Sequence, residues 1–225
     1  MAGLVLGATF IAPAVPVNSI VLNQNSYSYQ DGGEFTAITS QNFLGGYAAA
    51  AINGNGFETF CVEASVTFNP GVTYSYTLAS SDSQGRALTA GAALLYYRFG
   101  TGNLFGYDYS GANRSSDNGK LQSALWMLQG NQSGGAAFPD GGTGNKFYDW
   151  AVNDLGGAAN ALSANNGRFD VQILQLWDAA GKDHQNQLVV NQHVPDAGST
   201  LGMLSLGLIG LSAAGLRVRK SAPAL

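Results

Sequence analysis

Charge is what this chain has least of. Asp, Glu, Lys and Arg make up 11% of its 225 residues, against roughly 25% in an average soluble domain. A long-helix or coiled-coil protein, which depends on solvated Glu and Lys faces, is thereby excluded. Basic residues are scarcest, ten against fourteen acids. With no basic stripe to neutralise phosphates, no nucleic-acid partner is expected. A single cysteine rules out an intrachain disulfide, and the two histidines, His184 and His193, match no metal-ligand spacing. No metal or other cofactor is expected.

Glycine is abundant instead, at 31 residues, about twice its usual share. Asn, Gln, Ser and Thr do the solvating, and 45% hydrophobic residues suffice for an ordinary core. This profile fits an exported surface protein better than a cytoplasmic enzyme. The charge is also divided: residues 1–193 hold seven basic and thirteen acidic side chains, residues 194–225 three basic and one acidic.

Both ends read as addresses. The stretch MAGLVLGATFIAPA ends in Ala12-Pro13-Ala14, the small-x-small pattern that a signal peptidase reads, although it has no positive n-region. Residues 1–14 are therefore expected to be a signal-peptide-like leader. A first buried strand is disfavoured by Pro13 and Pro16. At the other end, residues 197–216 carry no charge and are long enough for one membrane-spanning helix. Arg217, Arg219 and Lys220 follow, a basic stop expected to stay cytoplasmic with everything N-terminal outside. Residues 15–193 form the expected extracellular domain.

The tail, Val194-Pro195-Asp196-Ala197-Gly198 followed by one span and an Arg-rich end, resembles the VPDSG-CTERM class of PEP-CTERM-like bacterial sorting signals. Ala197 stands where that class has serine. The resemblance implies recognition by an exosortase, a membrane-embedded cysteine transpeptidase. It also implies transient anchoring in the inner membrane and delivery to the cell surface or extracellular matrix. A permanent one-pass anchor has the same topology.

Between the addresses the pattern predicts an α+β fold: an antiparallel β-barrel or sandwich with two or three inserted helices. Strands are expected at 47–52 and 57–68, flanking the turn Asn53-Gly54-Asn55-Gly56, and at 73–79, together forming a meander. Leu88, Ala92, Leu95 and Phe99 recur at helical spacing over 86–99. A second helix is expected at 118–129, with Asp117 as its cap and Gly130 at its end, and a third at 146–155. Strands at 168–177 and 187–190 close the sheet.

The chemistry centres on Cys61. From Phe60 onward the strand alternates: Phe60, Val62, Ala64, Val66 and Phe68 share one face, and Thr59, Cys61, Glu63, Ser65 and Thr67 the other. A cysteine used as a small hydrophobe belongs with the apolar set, so its polar placement points away from an inert thiol. A lone thiol exported to an oxidising compartment is a liability unless protected or used. A thioester with a glutamine side chain protects it, given a nearby amide held so that proximity replaces encounter. On the second predicted helix Leu121, Leu125 and Leu128 form the core stripe. Gln122 and Trp126 share the adjacent stripe at i, i+4, which sets a large aromatic beside the glutamine.

Phe60-Cys61-Val62-Glu63 and Gln122-Ser123-Ala124-Leu125-Trp126 together resemble the bacterial thioester domains of surface adhesins. Those domains pair an aromatic-Cys-aliphatic-acid strand with a Gln-x-aliphatic-aliphatic-Trp helix, usually preceded by Thr; here Leu121 takes that place. The resemblance covers about 57–130. It implies a Cys61–Gln122 thioester, attacked once by an amine- or hydroxyl-bearing surface target to leave a covalent link. Such single-turnover chemistry is not that of an enzyme. Glu63 and Tyr97 either polarise the nucleophile or solvate the surface, the structural role being favoured.

Two rival readings stay open. One is an enzyme with Cys61 as nucleophile and His184 or His193 as base. The other is a non-covalent structural or exopolysaccharide-associated matrix protein, sorted by the same tail, with exposed aromatics such as Tyr107, Tyr109 and Tyr148 available to sugars.

Overall fold

The computed structural model describes residues 18–29, 32–40, 56–130 and 144–190, all in one compact unit. Six strands are described: β1 (Ser19–Gln24), β2 (Phe35–Thr39), β3 (Gly56–Thr59), β4 (Thr73–Ala79), β5 (Val171–Trp177) and β6 (Asp183–Val190). Four helices join β4 to β5: α1 (Ala90–Gly100), α2 (Arg114–Leu128), α3 (Lys146–Asp154) and α4 (Ala158–Ala161). The strands form one antiparallel sheet in the order β3-β2-β1-β4-β5-β6. The fold is α+β, as expected.

The sheet curls until its two edges meet. Just past β3, Cys61 bridges to Gln187 of β6. Leu188 N–H donates to the Phe60 carbonyl at 3.1 Å, and Val62 N–H to the Asn186 carbonyl at 3.0 Å. Thr59 Oγ1 adds a side-chain bond to the Leu188 carbonyl at 2.7 Å. Every second residue of each strand goes to one face. Ile20, Leu22, Phe57, Tyr74, Leu176 and Val189 pack together on one of them. On the other, Ile173, Leu188 and Val190, with Phe60 and Val62, meet the helices through Leu95, Phe99, Leu121 and Leu125.

The helical stripes lie where expected. Ala92, Leu95 and Phe99 are buried in the helix-side core, as are Leu121, Leu125 and Leu128; Leu88 is buried there too but precedes α1, which begins at Ala90 and not at the expected 86. Thr89 caps α1 through Ala92 N–H, and Asn145 caps α3 through the N–H groups of Phe147 and Tyr148. Asn145 also donates to the Lys120 carbonyl at 2.8 Å, which ties α3 to α2.

Four expectations are corrected. The helix expected at 118 begins a turn earlier, at Arg114. Asp117 is therefore not its cap; it lies in the first turn and accepts from Asp108 N–H at 2.9 Å and from Lys146 Nζ at 2.5 Å. The strand expected over 57–68 is regular only through Thr59. The expected pairing of the 57–68 and 73–79 segments does not form: β4 pairs with β1 and β5 and has no ladder with β3, whose neighbour among the described strands is β2. The strand expected at 47–52 lies outside the described residues, as do the leader and the segment 197–216. Among the described residues no helix is long and apolar enough to cross a membrane.

Candidate functional site

Cys61 stands at the seam of the sheet. Its alternation survives beyond the regular strand: Phe60 and Val62 enter the helix-side core, while Cys61 packs with Phe35 and Trp126. The polar face that carries it is not turned to solvent. Thr59, Cys61 and Glu63 are all fully buried, because the curled sheet encloses that face. Burial pushes the Cys61 thiol well above the usual thiol range. A hydrogen bond from Gln187 opposes this shift, and the nearby Glu63 adds to it.

Gln122 is brought to the same place by α2 and is likewise fully buried. Its Oε1 accepts two backbone N–H groups, from Cys61 at 2.9 Å and from Gly33 at 3.1 Å. Its Nε2 donates to the Cys61 carbonyl at 2.8 Å. A carbonyl oxygen held between two backbone N–H groups has the arrangement of an oxyanion hole, which polarises the carbonyl carbon toward attack. Cys61, Gln122 and Trp126 thus share one site. The sulfur's own hydrogen bond, however, is with Gln187 Nε2, at 3.6 Å.

The Gly33 N–H depends on a clamp one turn earlier on α2. Asn118 Oδ1 accepts from Glu34 N–H at 2.6 Å, and its Nδ2 donates to the Tyr27 carbonyl at 2.5 Å. Glu34 is buried and paired with Arg114, whose Nε lies 3.1 Å from Oε2; Tyr107 Oη also donates to that oxygen, at 3.0 Å. Arg114 in turn lies over the Tyr27 ring, 4.2 Å from its centroid.

Two further carboxyls are buried nearby in the sheet. Glu58 accepts from Thr36 Oγ1 at 2.9 Å and Asn25 Nδ2 at 2.6 Å. Burial, and then the charge of Glu34, raise it to about 7. Glu63 accepts from Asn186 N–H at 2.9 Å and Asn186 Nδ2 at 2.5 Å. Burial raises it too to about 7, against the pull of those bonds. Glu63 bonds to β6 and makes no hydrogen bond with the thiol.

The other expected residues lie apart. His184 stacks near Tyr74, with ring centroids 4.8 Å apart, and its nitrogens meet the Thr67 carbonyl and Asp178 Oδ2 at 3.3 and 3.2 Å. None of these bonds reaches Cys61. His193, the sorting residues Val194, Pro195, Asp196 and Gly198, and the stop residues Arg217, Arg219 and Lys220 lie outside the described residues. The aromatics expected at the surface are packed. Tyr107 is 7% exposed and sits edge-on to Phe99 at 5.1 Å, and Tyr97, Tyr109 and Tyr148 are partly buried against the helix-side core. Among the described residues no group of three or more His, Cys, Asp or Glu is arranged to hold a metal ion.

Gly33, Asn118 and Gln187 are the site residues that sequence reasoning missed. Asn118 had a readable signal, its i, i+4 spacing to Gln122 on one helix face. Gln187 had only its alternation with Gln185 and Val189, which reads as an ordinary strand. The chain matches no family model, no curated protein and no solved structure.

Proposed function

We propose that this is an exported surface protein whose Cys61 and Gln122 form an internal thioester for covalent attachment to surface nucleophiles. The observation that carries the proposal is the Gln122 carbonyl oxygen held by the N–H groups of Cys61 and Gly33. Attack by sulfur on Cδ places negative charge on that oxygen, where two fixed donors already point. The S–C bond forms and the C–N bond breaks; the thiol proton departs with the amide nitrogen as ammonia. Phe35 and Trp126, packed on Cys61, exclude water that would hydrolyse the product. An incoming amine then attacks the same carbonyl, becomes an amide of Gln122 and returns its proton to the sulfur.

The reading takes the curled sheet as a barrel-like scaffold and segment 197–216 as a membrane helix. It takes the tail from Val194 as the substrate of an exosortase, with transient inner-membrane anchoring before delivery to the cell surface or matrix.

A second reading is favoured by a different observation. Every hydrogen bond of Gln122 goes to backbone, which is what a purely structural clamp would make. A buried, protonated thiol also suits an inert core position. The protein is then a non-covalent structural or exopolysaccharide-associated matrix protein sorted by the same tail.

Intact mass of the purified protein separates the two. The thioester removes the mass of one ammonia and allows stoichiometric addition of methylamine, both abolished in Cys61→Ala and in Gln122→Ala. A mass equal to that of free thiol and amide, before any nucleophile is added, sinks the first reading.

A further inference from the structure

The sulfur of Cys61 has a neighbour for which the thioester reading has no role. Gln187 stands opposite Cys61 across the seam and is fully buried. Its Nε2 lies 3.6 Å from the sulfur and 3.3 Å from the Gln185 carbonyl. The second contact fixes which end of the amide is the donor, since two oxygens would not share it. Gln187 Oε1 is enclosed as well and, among the described residues, has no hydrogen-bond partner. A buried carbonyl oxygen without a donor keeps the full penalty of having left water. Here that unmet acceptor belongs to the same amide that touches the reactive sulfur.

We propose that Gln187 is a catalytic residue of the Cys61–Gln122 chemistry and that it selects primary amines as the nucleophile. The inference rests on the thioester reading. The Gln187 N–H donates to the sulfur when it attacks Gln122 and again when it is expelled, the two moments at which it carries negative charge. Gln187 Oε1 accepts an N–H from the nitrogen that leaves as ammonia or enters as amine. A primary amine has two protons: one ends on the sulfur as the S–C bond breaks and the N–C bond forms, and the other remains for Oε1. A hydroxyl has only the proton that it gives up, so it leaves Oε1 unmet in the transition state. The charge facing the sulfur is that of Glu63, which acts against the thiolate. The Gln187 N–H is therefore the described donor that offsets it.

The test uses the full-length protein, with methylamine and glycerol as separate probes and intact mass as the readout. Gln187→Leu should slow methylamine capture about ten- to hundred-fold, the loss of one hydrogen bond to a charged atom. Capture of glycerol should fall less, so the preference for amine narrows. A Leu variant that keeps both the rate and the preference overturns the proposal. Gln187→Met keeps the length of the side chain while removing the donor, and serves if the Leu protein does not fold by circular dichroism. Should the wild-type protein retain its ammonia, the thioester reading fails by itself. Gln187 is then judged by the rate at which methyl methanethiosulfonate modifies Cys61: about a tenfold fall in the variant supports its role on the sulfur, and an unchanged rate overturns it.

Discussion

A methyl group on Gly33 would stand 2.4 Å from Oδ1 of Asn118. Gly33 also has φ +99°, a conformation that side-chain-bearing residues rarely adopt. The oxygen it would strike is the one that accepts from Glu34 N–H, so the absence of a side chain at 33 and the clamp at 118 are one arrangement. It holds the second N–H on the Gln122 carbonyl. Gly33→Ala should destabilise the fold by about 2–4 kcal/mol, combining backbone strain with the clash. It should also lower thioester yield in the fraction that folds. Urea midpoints and intact mass measure the two effects; a variant as stable as wild type with full ammonia loss refutes the arrangement.

Asn118→Ala tests the clamp from the helix side. It leaves the Glu34 N–H and the Tyr27 carbonyl without their partner, at about 1–3 kcal/mol for each buried group not rescued by water. Chemical denaturation should show the loss. The ammonia-loss signal should drop with it, because the Gly33 N–H is no longer held. Loss of stability with undiminished ammonia loss would show that the clamp serves folding alone.

Arg114→Leu strips a buried carboxylate of its partner. Glu34 is fully buried and its charged neighbour is Arg114. The single substitution should cost about 3–5 kcal/mol, since an uncompensated charge remains inside. Replacing both, as Glu34→Leu with Arg114→Leu, should cost less than the single change. Unfolding curves of the two proteins decide it, and equal losses would contradict the pairing.

The buried carboxyls make stability fall as pH rises. Glu58 and Glu63 are each raised from an ordinary 4.5 to about 7. Between those values the folded protein holds protons that the unfolded chain has released. Their contribution is therefore fully present below 4.5 and is lost as pH climbs through about 7. The slope is about 1.4 kcal/mol per pH unit for each group. Glu58→Gln should remove roughly half of it. Denaturation midpoints taken from about pH 5 to about pH 8 give the profile; one that is flat, or that rises with pH, contradicts these shifts.

The helices were largely legible in the chain, and the sheet order was not. Leu121, Leu125 and Leu128 write the core face of α2 at a spacing that only a helix satisfies, and Gln122 and Trp126 come with it. The 73–79 strand coincides with β4. By contrast β1 and β2 were not foreseen: they are short, and Asn, Ser and Gly surround them. That β4 pairs with β1 rather than β3 is a long-range choice that no local pattern encodes. The same limit hid Gln187, whose place opposite Cys61 arises only when the two edges of the sheet meet. Alternation assigned Cys61 to the correct face, but a polar face suggested water. The fold encloses that face and satisfies it with Asn186, Gln187 and the Leu188 carbonyl.

Cys61 and Gln122 are 61 residues apart, and α1 lies wholly between them. Joined by a thioester, that stretch becomes a closed covalent ring. Its constraint on the unfolded chain is worth about 4 kcal/mol, by the relation used for disulfide loops of similar size. Attack by a nucleophile reopens the ring and removes that constraint in the same step. Capture of a target would then leave the protein fastened to it and less resistant to unfolding, so bound and unbound copies should differ in melting temperature and in protease sensitivity.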